Sequence, residues 1–113
     1  MIYAQPGTEN AVVNFKSHYD NYIGGEWVKP VAGNYFDNSS PVNGENFCKV
    51  ARSSAADIEL ALDAAHAAKS SWAKTSVTER ANILLKIADR IEENIEELAV
   101  AETWETANQY VRL

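Results

Sequence analysis

The change of hydrophobic period near Ser53 is the feature that most constrains the fold of this chain of 113 residues. Before Ser53, short apolar runs alternate with turn residues, a pattern typical of half-buried strands. After it, four apolar residues fall on one face of a helix: Ile58, Leu62, Ala65 and Trp72. Extended sequence followed by helical sequence predicts an α+β fold.

Two turn signals organise the extended half. Gly24 and Gly25 separate two short extended pieces, and glycine tolerates the positive φ that a two-residue hairpin turn requires. Asn43 and Gly44 form a second favoured turn pair. We therefore expect a small antiparallel β ribbon over residues 21–52, preceded by an arm of residues 1–20.

Capping residues indicate where the helices begin. Three polar residues are each followed by an acid three positions later: Ser54 with Asp57, Ser76 with Glu79, and Asn94 with Glu97. In the Ser76 pair, each side chain can bond the backbone amide of the other residue, the arrangement called a capping box. We therefore expect two or three α-helices over residues 53–105.

The composition predicts a weak core. Hydrophobic residues make up 46% of the chain, but 17 of them are alanine. A single methyl group contributes far less on burial than the ~1.5–3 kcal/mol of a leucine or isoleucine. We expect marginal stability, and self-association through exposed apolar helix faces.

Net charge, hydrophobicity and cysteine content limit the partners that the chain can bind and the compartment in which it works. The net charge of −6 argues against nucleic acid, because phosphate contacts need clustered Lys and Arg. No apolar run approaches the ~20 residues of a membrane span, so no membrane partner is expected. A single cysteine cannot form an internal disulfide. These features predict a cytoplasmic location.

No set of side chains predicts a reaction. Cys48 stands in strand-like sequence without a nearby base, so we interpret it as a packing cysteine. His66 lies in the alanine-rich helical segment, where a surface role is expected, and His18 lies in the arm. Four glutamates spread over a solvated helix face: Glu92, Glu93, Glu96 and Glu97. We therefore expect no catalytic, cofactor-binding or metal-binding residue in this chain.

Five segments nevertheless carry a family resemblance. They are Asn-Tyr-Ile-Gly-Gly-Glu-Trp-Val at 21–28, Pro-Val-Asn-Gly-Glu at 41–45, Trp72 with Thr-Ser-Val-Thr-Glu-Arg at 75–80, Leu-Leu-Lys-Ile-Ala-Asp-Arg-Ile-Glu at 84–92, and Glu-Thr-Trp at 102–104. In this order they resemble the N-terminal segment of NAD-dependent aldehyde dehydrogenases. The arm, from Ala4 to Lys16, is most similar to a bacterial acetaldehyde-oxidising branch.

The resemblance implies a homo-oligomeric oxidoreductase with a cofactor domain, a catalytic domain and an oligomerisation segment. In that family a cysteine attacks the aldehyde, hydride passes to NAD, and a glutamate-activated water releases the acid. The family's catalytic residues lie downstream of position 113, and Cys48 does not match its nucleophile. The resemblance therefore implies an inactive N-terminal fragment. The alternative is a free-standing acidic helical binding module without enzymatic activity.

The tail at 106–113 departs from the family pattern. Family members continue with Glu-Asn-Gly-Lys-Pro-Val-Arg-Glu-Thr-Leu, which one gene sequence encodes as GAA AAC GGC AAA CCA GTA CGT GAG ACT TTG A. Loss of one adenine from its first two codons gives Glu-Thr-Ala-Asn-Gln-Tyr-Val-Arg-Leu and a stop. That is the sequence of residues 105–113. We expect a truncation by a frameshift after Glu105.

Overall fold

The computed structural model describes residues 3–107, with all strands before all helices. The strands are β1 His18–Tyr19, β2 Asn21–Ile23, β3 Glu26–Val28, β4 Tyr35–Ser39 and β5 Asn46–Ala51. The helices are α1 Ala55–Ala73, α2 Val77–Glu93 and α3 Ile95–Thr106. The α+β fold predicted from the change of period is confirmed. No helix in the described range combines the length and the apolar character needed to cross a bilayer.

Strands β2 and β3 form the hairpin predicted at the glycine pair. Gly24 and Gly25 both have positive φ, 63° and 84°, as a two-residue primed turn requires. The register pairs Tyr22 with Trp27, and their ring centroids lie 5.0 Å apart. This cross-strand aromatic pair stabilises the hairpin on one face.

A second sheet has the strand order β1-β5-β4. Strands β4 and β5 are antiparallel, as predicted, whereas β1 pairs with β5 in parallel and the Lys49 amide donates to the Ser17 carbonyl at 2.9 Å. The extended half therefore forms two sheets rather than one ribbon, and β1 lies in the segment expected to be an arm. A two-residue strand is too short to carry a periodic signal, so sequence pattern could not reveal it.

All three helices begin directly after the predicted capping residue, which is Ser54 for α1, Ser76 for α2 and Asn94 for α3. Ser76 and Glu79 form the predicted capping box, with amide-to-side-chain distances of 3.1 and 3.2 Å. Ser54 begins α1, and its amide donates to the Asp57 carboxylate at 2.8 Å.

Asn94 is the N-cap residue of α3, as predicted, but its side chain does not cap that helix. The Asn94 side chain makes no bond to the start of α3, and its amide group donates to the Arg90 carbonyl at 2.8 Å. Only Asn94 separates α2 from α3, so this residue also faces the unpaired carbonyl groups that end α2. Its φ of −116° and ψ of 21° lie outside the extended region typical of N-caps.

Burial is sparse for a chain of this length. Within residues 3–107, the buried apolar side chains are Val13, Cys48 and Val100, and every residue of α2 is exposed. The radius of gyration is 17.7 Å, whereas a compact domain of this length has about 13 Å. The accessible surface is 8941 Å², against about 6,200 Å² for a compact monomer of this mass. The helices thus turn much of their apolar surface to solvent.

Candidate functional site

Cys48 lies in β5 and is buried. Burial raises the pKa of its thiol, the hydrogen bond with Asn38 opposes that shift, and the negative charge of Glu105 raises the pKa again. A thiol with a raised pKa is a poor nucleophile at neutral pH, because the thiolate is the reactive form. The surroundings of Cys48 therefore suit packing.

The two histidines lie on exposed parts of different elements. The His18 ring packs edge-on against Tyr35, with centroids 5.0 Å apart, and its Nδ1 lies 3.0 Å from the Ser17 hydroxyl. His66 is exposed within α1. Neither arrangement supplies the base that Cys48 would need as a nucleophile.

The four glutamates that end α2 and begin α3 are all exposed. Glu93 forms an ion pair with Arg90 at 3.6 Å, one turn away on the same helix. Within the described part of the chain, no group of three or more His, Cys, Asp or Glu residues is placed to hold a metal ion. These acids therefore form a solvated helix surface.

A polar cluster that the sequence did not predict joins β4 to Asp20, the residue that follows β1. The Tyr35 hydroxyl donates to the Asp20 carboxylate at 2.5 Å, and this bond is the main cause that raises the pKa of Tyr35. His18 and Lys29 border the same shallow depression of about 500 Å³. Tyr35 and Asp20 are 15 positions apart, so no local motif could have found the pair. The Tyr35 proton is engaged in the bond to Asp20, so this cluster stabilises the contact between β4 and the residue that follows β1.

Asp57 is the most connected carboxylate of the described residues. Only 3% of it is exposed, and it accepts from the amides of Ser54 and Val31, both at 2.8 Å. These two backbone bonds lower its pKa, that from Ser54 most. Asn21 also donates to it, at 3.5 Å. Asp57 therefore joins the start of α1 to the segment after β3.

An open groove between the arm, α2 and α3 is the main apolar depression around α2. We call it the α2 groove; its volume is about 650 Å³. Its apolar lining includes Val13, Phe15, Ile83, Ile87, Ile91 and Leu98. Lys86, Arg90 and Glu97 also border it. The lining offers an apolar surface with a few charges, which suits the binding of another apolar surface rather than chemistry.

The described residues do not fit the binding of a dinucleotide. A pyrophosphate is commonly held at a helix N-terminus, where free amides and the helix dipole attract negative charge. Here Asp57 and Glu79 already occupy the first turns of α1 and α2, and Glu96 and Glu97 lie in the first turn of α3. Gly24 and Gly25 are used by the hairpin. Within residues 3–107, every buried side-chain polar atom has a hydrogen-bond partner.

Comparison with known proteins gives a consistent family match. Residues 27–112 match the model of the aldehyde dehydrogenase family. The chain is 67% identical over 103 residues to an aldehyde dehydrogenase of Deinococcus radiodurans, covering 91% of this chain and 20% of that protein. It is 66% identical over 105 residues to an acetaldehyde dehydrogenase of Pseudomonas aeruginosa, covering 93% and 21%.

Solved structures give the same result. The crystal structure of PnpE in complex with nicotinamide adenine dinucleotide matches with a TM-score of 0.74 and 43% identity. That match covers 76% of this chain and 18% of PnpE. The chain thus spans about a fifth of the length of the relatives it matches.

Proposed function

Because this chain belongs to the aldehyde dehydrogenase family, we propose that it is the N-terminal scaffold of an NAD-dependent enzyme that oxidises an aldehyde to a carboxylic acid. The observation that carries the proposal is the match over residues 27–112. The resemblance of five ordered motifs supports it, as does the likeness to the structure of PnpE in complex with nicotinamide adenine dinucleotide. The chain supplies structure, and other parts of the family enzyme supply the reaction.

The scaffold divides into parts with different roles. Residues 1–20 are the N-terminal segment that contains β1, residues 21–52 hold the other strands and lie near the oligomerisation elements, and residues 53–105 are the helices that pack outside the cofactor domain. The intact enzyme is a cytoplasmic homo-oligomer. The single, buried Cys48 supports the cytoplasmic location, because such cysteine usage fits a reducing compartment.

The chain by itself binds no cofactor and catalyses no oxidation. The chemistry of the family needs a reactive thiolate, a base and a dinucleotide site. In the described residues the cysteine is buried with a raised pKa, and all three helix N-termini carry carboxylates. These observations support an inactive fragment.

Cofactor titration tests this part of the proposal. The chain contains three tryptophans, so NAD or NADH binding can be followed by quenching of their fluorescence. We expect no saturable change up to millimolar dinucleotide, and saturable quenching in the P. aeruginosa relative as positive control. Saturable NADH binding by this chain would show that the cofactor site lies within it.

The substrate of the intact enzyme is a short aldehyde. The likeness of the arm to the acetaldehyde-oxidising branch supports this assignment. Identity alone does not discriminate, since relatives named acetaldehyde dehydrogenase and long-chain-aldehyde dehydrogenase match at 66% and 60%. Expressing an intact frame from the same genome and comparing acetaldehyde with a long-chain aldehyde tests it. A higher kcat/KM for the long-chain substrate would refute it.

We propose that residues 106–113 are read out of frame, although the family match itself extends to residue 112. Most of this tail lies outside the described residues, and the proposal rests on the codon-level match over residues 105–113. Sequencing the gene through codon 105 and beyond is the test. The proposal requires an aldehyde dehydrogenase frame just downstream, offset by one base, and it is refuted if that frame is missing.

A free-standing binding module is the second candidate function. One observation favours it, the exposure of every residue of α2. A module requires a monodisperse chain that unfolds cooperatively and shows no turnover. A loosely packed chain without a cooperative transition would leave only the scaffold interpretation.

A further inference from the structure

We propose that Asn43 is a deamidation site of this chain, and that the loop between β4 and β5 controls the rate of the reaction. The proposal concerns a covalent modification of the 113-residue chain and does not depend on the scaffold function. Three observations carry it: glycine follows Asn43, both residues are exposed, and the loop makes hydrogen bonds to the two groups that react.

The reaction uses the side-chain amide of Asn43, the backbone nitrogen of Gly44 and water. The Gly44 nitrogen forms a bond to Cγ of Asn43, the bond from Cγ to Nδ2 breaks, and the proton of the Gly44 amide leaves with the departing ammonia. The product is a cyclic succinimide. Water then opens the ring at one of its two carbonyls and leaves either aspartate or isoaspartate, without any oxidant or reductant.

Gly44 leaves its nitrogen open to this approach. Every other asparagine of the sequence is followed by a residue with a side chain, which obstructs the backbone nitrogen. Gly44 has a φ of 72°, and apart from its chain neighbours no atom of the described residues lies within 4 Å of the position that a Cβ would take. Because Asn43 and Gly44 are both exposed, water reaches the succinimide from solvent.

Two hydrogen bonds of the loop act in opposite directions on the reaction. The Glu45 amide donates to Oδ1 of Asn43 at 3.0 Å, which polarises the Cγ carbonyl and favours attack on it. The Gly44 amide donates to the Ser40 carbonyl at 2.8 Å, and this bond holds the proton that must leave. The reaction therefore requires the loop to open, and exposed loop bonds are among the first in a protein to do so.

Two other asparagines of the same chain serve as reference sites, because each is followed by a small residue. Asn38 precedes Ser39, but it lies in β4 and is paired with Cys48 of β5, so the sheet restrains it. Asn10 precedes Ala11, whose methyl group lies beside the backbone nitrogen. We therefore expect Asn43 to react before either of them.

Incubation of the full chain in mildly alkaline buffer, followed by digestion and peptide mass spectrometry, tests the proposal. Fragmentation by electron transfer distinguishes isoaspartate from aspartate at each position. The same incubation in guanidinium chloride gives the rate without the loop. The matched control is Gly44→Asp, because aspartate tolerates a positive φ and its side chain enters open space while obstructing the nitrogen. Comparing both proteins in guanidinium chloride removes any effect of Gly44→Asp on folding.

The proposal predicts isoaspartate and aspartate at position 43 before any conversion of Asn10 or Asn38. Unfolding should accelerate the reaction by up to about tenfold, the factor by which one hydrogen bond shifts an equilibrium. Gly44→Asp should lose most of the isoaspartate in both conditions. Earlier conversion of Asn10 or Asn38, aspartate without isoaspartate, equal rates in the folded and unfolded wild type, or an undiminished rate in Gly44→Asp would each overturn it.

Discussion

The Ser40 hydroxyl donates to the Trp104 carbonyl oxygen across 2.6 Å and so joins the end of α3 to the turn before β5. The last carbonyl groups of a helix have no partner within the helix, and Ser40 satisfies one of them. Ser40 is 1% exposed, and its oxygen also accepts from the Val42 amide at 3.2 Å. One buried hydroxyl therefore connects the strand half of the chain to the helical half.

Replacing Ser40 by alanine should destabilise the chain. The substitution leaves the Trp104 carbonyl and the Val42 amide without this partner, at a cost of about 1–3 kcal/mol. Urea unfolding followed by tryptophan fluorescence measures the change. Ser39→Ala is the control, since its hydroxyl bonds Asn46 at an exposed site and its loss should cost little. Equal midpoints for Ser40→Ala and Ser39→Ala would contradict this account.

Asp57 should make folding depend on pH. The pKa of its carboxyl is lowered in the folded chain, mainly by the Ser54 amide and then by the Val31 amide. Because the carboxylate is favoured in the folded chain, it contributes its full stability at pH values above the unfolded pKa of about 3.9. This contribution is lost as the pH falls through the lower pKa of the folded chain. Thermal unfolding at a series of pH values should show this loss in the wild type. Asp57→Asn should be less stable at pH 7, and its stability should fall less between neutral and acid pH. If the midpoint of thermal unfolding depends on pH in the same way in Asp57→Asn and in the wild type, Asp57 does not have this role.

The Cys48 thiol should react slowly. Burial raises its pKa and limits access, so iodoacetamide at pH 8 should modify it well below the rate of a free thiol, whose pKa is about 8.5. Urea should restore the ordinary rate. A matched exposed thiol is obtained by combining Cys48→Ser with Ser70→Cys on α1, at an exposed position. Similar rates for the two proteins under native conditions would show that Cys48 is accessible.

Tyr35 should titrate above the other tyrosines. Its hydroxyl donates to Asp20, and losing that proton would place two negative charges side by side. The bond therefore stabilises the fold below the ordinary tyrosine pKa of about 10, and this contribution is lost as the pH rises through the raised value. Absorbance at 295 nm follows the ionisation. Asp20→Asn should return Tyr35 to the ordinary range, and an identical titration curve in that variant would contradict the assignment.

Local signals explain what the sequence could predict. The Ser76 and Glu79 box and the Gly24–Gly25 turn depend on a few adjacent residues, and both are present as expected. The contacts of Ser40 with Trp104, and the pairing of β1 with β5, join distant residues and have no periodic pattern. Asn94 precedes α3 as predicted, but its side chain bonds the Arg90 carbonyl near the end of α2 and does not cap α3. The pKa of Cys48 is raised first by burial and then by the charge of Glu105, against the opposing bond with Asn38, and the sequence alone did not supply these positions.

The sequence predicted which helix faces are apolar, but it did not show how much of each face is exposed. Helical spacing identified the stripe that includes Ile58 and Leu62 on α1, but these residues remain about half exposed. Periodicity shows which side of a helix is apolar, and it does not show what covers that side. What covers an apolar helix face depends on residues that are distant in sequence, and these leave no periodic signal in the helix itself.

Aldehyde-dependent NADH formation by the purified 113-residue chain shows whether this scaffold is catalytically inactive. An inactive scaffold gives no increase in absorbance at 340 nm with acetaldehyde and NAD, under conditions in which the P. aeruginosa acetaldehyde dehydrogenase turns over. The chain should also show an intact mass of 12.5 kDa. Turnover by this chain at that mass, abolished by Cys48→Ser, would instead place the active site within the scaffold.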